Sequence, residues 1–98
     1  MNDRDKAKFT SVAHIDFKAP AELRKWPSLG GLRNSNVPYP NPYIVADGTL
    51  EECIQEFMAK PSSARHLYEI HTSPQADMVI AVLSAEHIAE LARLRELL

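Results

Sequence analysis

Residues 64–84 read Ala-Arg-His-Leu-Tyr-Glu-Ile-His-Thr-Ser-Pro-Gln-Ala-Asp-Met-Val-Ile-Ala-Val-Leu-Ser, and this stretch decides the fold class. Its first arm, residues 65–72, alternates: His66, Tyr68 and Ile70 share one face, Leu67, Glu69 and His71 the other. The second arm, residues 78–83, is apolar on both faces. Alternation marks a strand with one wet side, and a continuous apolar run marks one buried on both. Between them, Ser73-Pro74-Gln75-Ala76-Asp77 is turn chemistry, with Pro74 fixing φ and withholding a ladder donor. The stretch is therefore a β-hairpin, and the remaining elements are read against it.

A helix is expected on each side. Thr49-Leu50-Glu51-Glu52 has the form of a capping box, in which the Thr49 hydroxyl accepts from the Glu52 amide and the Glu52 carboxylate reaches back. Leu50, Cys53, Ile54, Phe57 and Met58 follow as an apolar stripe, and Pro61 closes a helix over residues 49–60. Ser84 caps a second helix over residues 84–97, with Leu83 and Ile88 spaced as a hydrophobic staple and Ile88, Leu91, Leu94 and Leu98 as its stripe.

Upstream, residues 43–46 make a short β-prone run, and residues 9–17 alternate as a strand at a sheet edge. Residues 19–26 suggest a short helix with Pro20 in the first turn and Pro27 as its stop. Residues 27–42 form a less regular segment, broken at Gly30-Gly31 and held extended by Pro38, Pro40 and Pro42. The expected fold is thus α+β: one domain over residues 1–98, with a small antiparallel or mixed sheet packed by two helices.

Composition bounds the function. The chain has 98 residues, 45% hydrophobic and 24% charged, which suits one soluble domain with a modest core. No apolar run reaches membrane-span length, and the start lacks a signal-peptide h-region, so a cytoplasmic setting is expected. A single cysteine excludes an internal disulfide. Residues 1–40 hold seven Lys/Arg against four Asp/Glu, and residues 41–98 four against nine. The cations include Arg24, Lys25 and Arg33 but are interleaved with Asp16 and Glu22, an arrangement poor for reading phosphates; nucleic acid is an unfavoured partner.

Familiar catalytic motifs are absent: there is no phosphate loop, nucleophile elbow or dinucleotide fingerprint. Cys53 sits within an apolar stripe, which favours an inert buried thiol. No cofactor or metal is expected, because Glu69 and His71 alone share a face and zinc needs three or four donors. A pocket built on His66, Tyr68, Glu69 and His71 is the route to a small-molecule binder or enzyme.

Helix 49–60, the hairpin and Ala-Val-Leu-Ser-Ala-Glu-His-Ile-Ala-Glu-Leu at residues 81–91 are similar in pattern to the N-terminal module of Phd/YefM-type antitoxins. That resemblance covers about half the chain and implies a DNA-binding regulator. Here the module comes last, and the hairpin turn lacks the basic and glycine character of that family. The reading favoured by the residues themselves is a non-enzymatic protein-interaction domain. If Met78, Ile80 and Val82 face the helices, then Val79, Ala81 and Leu83 form an apolar outer face. A protein partner or a second copy of the chain (a homodimer) would cover it, with Trp26 and Tyr39 of the irregular region as further contacts.

Overall fold

The computed structural model describes residues 15–75, 78 and 81–97. Among these residues, six strands and two helices follow in order: β1 (Pro20–Lys25), β2 (Ser28–Leu29), β3 (Leu32–Arg33), β4 (Tyr43–Thr49), α1 (Leu50–Met58), β5 (Tyr68–Thr72), β6 (Val82–Leu83) and α2 (Ala85–Arg95). The main sheet has the order β4-β1-β5-β6, antiparallel throughout, and β2-β3 is a separate ribbon. The fold class is α+β, as the hairpin and the two amphipathic helices require.

The sheet is built on the segment that the sequence assigns to a helix. Residues 20–25 form β1, an inner strand paired with β4 on one side and β5 on the other. Its residues are good helix formers, but so short a segment gains little from helical hydrogen bonds, since nucleation is costly. The strand instead places Ala21 and Leu23 in the core and Glu22 and Arg24 on the opposite face. Pro20 is accommodated as the first strand residue, a position where a missing donor is tolerated.

The long connection is more regular than its composition implies. Gly30 and Gly31, at φ of 61° and 79°, make the turn between β2 and β3, where two successive positive φ values suit the twist of a tight hairpin. The ribbon is fastened at its base by the Asn34 amide donating to the Pro27 carbonyl at 2.8 Å. Residues 9–14 of the expected N-terminal strand lie outside the described residues, and 15–19 form a turn rather than a strand.

Both capping motifs are present. Thr49 Oγ1 accepts from the Glu52 amide at 3.1 Å, and Glu52 Oε1 accepts from the Thr49 amide at 2.9 Å. Gly48 makes room for this carboxylate: a Cβ there would stand 2.9 Å from Glu52 Oε1. In α2, Ser84 is the cap and His87 takes the place of the usual acid, its Nδ1 lying 3.4 Å from the Ser84 amide. α1 ends at Met58, short of the expected boundary at 60.

One layer of side chains joins sheet and helices. Leu23, Leu50, Phe57, Ile70, Met78, Leu83, Ile88 and Leu91 are fully buried, with Cys53 and Ile54 close behind. Arg95 of α2 pairs with Glu51 of α1 and lies over the Phe17 ring, 5.4 Å from its centroid. Among the described residues, no helix is long and apolar enough to cross a membrane.

The hairpin keeps one register, pairing Ile70 with Leu83 and His71 with Val82, and closing between Gln75 and Met78. Its first arm starts late, because residues 65–67 form a 3₁₀ turn before β5. The expected facing of the second arm is reversed at its end: Leu83 is buried and Val82 is 47% exposed. Leu83 precedes the α2 cap, so it turns inward with Ile88 as the staple demands. Ala81 is half-buried, and Val79 lies outside the described residues.

Candidate functional site

Among the described residues, the helices cover one face of the sheet and leave the other open. Strand register puts Asp47, Glu22, His71 and Val82 in one row across that open face, and Ile44, Arg24 and Glu69 in the next. On this face Glu69 is 8% exposed, although neither α1 nor α2 packs above it. Its burial is compensated by hydrogen bonds to both carboxylate oxygens. Oε1 accepts from the indole Nε1 of Trp26 at 2.6 Å, and Oε2 accepts from Nε2 of His71. Since a carboxylate can only accept, the hydrogen of this bond is carried by His71 Nε2.

Trp26 is positioned by the chain around it. Its amide donates to the Leu67 carbonyl at 2.8 Å, extending the β1–β5 ladder by one step. Arg33 of the β2–β3 ribbon covers the indole, 4.3 Å from the ring centroid, and Gly31 of the same ribbon accepts from His66 Nε2 at 2.6 Å. Arg24 donates to Glu22 at 2.6 Å. A wide, shallow cleft of about 590 Å³ adjoins this array, lined in part by Glu22, Asp47, His71 and Thr72.

The residues expected in a pocket therefore separate. Glu69 and His71 are joined, but Tyr68 faces the helical side under Lys60, and His66 is engaged with the ribbon. Trp26, expected as a partner contact, donates its indole N–H to Glu69. Tyr39 is 83% exposed. Among the described residues, no three His, Cys, Asp or Glu side chains come together as metal donors.

The second feature is the free side of β4. This seven-residue strand pairs only with β1 among the described residues. Tyr43, Ile44 and Val45 are 47%, 51% and 41% exposed, unusual for three consecutive apolar residues of a sheet. The register shifts between Leu23 and Arg24, so Val45 is an extra residue opposite β1 and bulges from the ladder. Beside the strand runs a groove of about 300 Å³ against α1, lined by Ala46, Asp47, Glu52, Cys53, Gln55 and Glu56. Burial, and next the charge of Glu52, pushes the Cys53 thiol up to about 11, which leaves it protonated and unreactive. Hydrogen bonds from Thr49, its amide first and its hydroxyl second, hold Glu52 below the usual carboxylate range.

Comparison with known proteins returns no matching family model, no matching curated protein and no matching solved structure.

Proposed function

We propose that this is a non-enzymatic protein-interaction domain whose contact surface is the free edge of β4. The observation that carries the reading is the exposure of Tyr43, Ile44 and Val45 on a strand with one neighbour among the described residues. A strand edge offers backbone donors and acceptors to an incoming strand, and its side chains supply the selectivity. Selection of displayed linear peptides on the wild-type domain and on Ile44→Lys/Val45→Lys tests it. Both substitutions fall on half-exposed positions, so the variant keeps its fold. Extended, β-prone sequences should enrich on the wild type alone; equal enrichment on both overturns the reading.

A second reading is favoured by one observation, the fixing of His71 by Glu69 beside the open cleft. A ring held in one orientation offers Nδ1 as a fixed polar contact, as a binding site for a small polar ligand needs. A fragment screen read by the His71 ring resonances tests it: hits that disappear in Thr72→Ala but leave the fold intact support the cleft, and no hit refutes it.

A further inference from the structure

The two ends of the β4 edge differ in chemistry, and the difference selects an occupant. Tyr43, Ile44 and Val45 make its first half apolar. Its second half runs along the groove where Asp47, Glu52 and Glu56 stand together. The only cation placed against these acids by an ion pair is Lys60, 3.9 Å from Glu56, among the described residues. Glu52 is committed to the helix cap, yet it keeps its charge beside the groove.

A second copy of the chain fits this edge poorly. Full-length antiparallel pairing of Tyr43–Thr49 with itself has its two-fold axis at Ala46, next to Asp47. Two sets of Asp47, Glu52 and Glu56 would then flank the axis, and like charges so juxtaposed disfavour association. Sliding the pair towards the apolar half runs the partner strand into Pro42 and Pro40, which have no backbone donor.

Resting on the reading of β4 as the contact edge, we infer that its occupant is an extended basic segment of another protein. The segment adds a strand beside β4, sets aliphatic side chains against Tyr43–Val45, and carries Lys or Arg over Asp47 and Glu56. The ladder supplies affinity without regard to sequence, and the groove supplies the preference for positive charge.

Four fluorescent synthetic peptides of about nine residues test this by anisotropy with the whole chain. The first alternates Val and Thr in one half and places Lys at alternate positions in the other; a twin carries Glu for Lys. The other two are the same pair with backbone N-methylation, which removes ladder donors. The Lys peptide should bind at least about tenfold more tightly than its Glu twin, less so at high salt, and N-methylation should abolish binding. Asp47→Lys/Glu56→Lys, which spares the capping Glu52, should reverse the preference. Equal binding of the Lys and Glu peptides, both lost on N-methylation, overturns the basic partner and leaves the edge reading standing. Binding that survives N-methylation, or no binding by any peptide, overturns both.

Discussion

Replacing Trp26 by Phe removes one hydrogen-bond donor from a buried carboxylate while keeping an aromatic ring. In the wild type, Glu69 is 8% exposed and accepts from Trp26 Nε1 at 2.6 Å. Hydrogen bonds to charged groups contribute roughly 1.5–3 kcal/mol, and a buried acceptor left unpaired forfeits a similar amount. For a domain of this size that corresponds to a fall in Tm of roughly 6–20 °C. Trp26 is the sole tryptophan, so the variant must be followed by far-UV circular dichroism rather than by fluorescence. The companion Glu69→Gln separates hydrogen bonding from ring packing. If the bond is the cause, Trp26→Phe should cost much less in the Glu69→Gln background, with a coupling of about 1 kcal/mol or more. Equal costs in both backgrounds would refute the reasoning and assign the loss to packing beneath Arg33.

Other outcomes follow from the same geometry. Leu83→Ala should cost about 2–5 kcal/mol in urea melts, whereas Val82→Ala on the exposed side should stay within about 0.5 kcal/mol; the reverse order would restore the opposite facing. Thr49→Ala should cost about 1 kcal/mol through loss of the α1 cap, and unchanged melts would place the helix start elsewhere. Glu52 is held below its ordinary range when folded, so its contribution is complete above the unfolded value near 4.5 and fades as pH falls through the folded value. Acid titration of α1 amide exchange should show that loss in the wild type and not in Glu52→Gln. Cys53, raised to about 11, should resist iodoacetamide at pH 8 until urea unfolds the domain; rapid labelling of native protein would contradict its burial.

What the sequence makes legible is what local spacing controls. The Thr49–Glu52 box, the stripe of α1 and the Leu83–Ile88 staple each lie within a few residues, and each is found where the pattern puts it. The identity of β1 is not local. Ala-Glu-Leu-Arg-Lys favours a helix by propensity, and pairing with β4 and β5 overrides that preference. The facing of Leu83 required a choice between strand alternation from Met78 and the staple; both side chains are buried although five positions apart, so alternation fails across that span. Glu69 and His71 share a face by simple parity and do meet. Their link to Trp26 spans 43 positions and leaves no mark in the spacing. One signal was available: a lone Trp after a short alternating segment needs a buried acceptor for its indole N–H.

The position of β1 also sets the order in which the chain can assemble. An inner strand made of residues 20–25 is synthesised before both of its partners, residues 43–49 and 68–72. During synthesis it therefore emerges with neither neighbour available, and the sheet closes only once β5 has left the ribosome. Contacts so distant along the chain slow folding, because loop entropy must be lost before any pairing is gained.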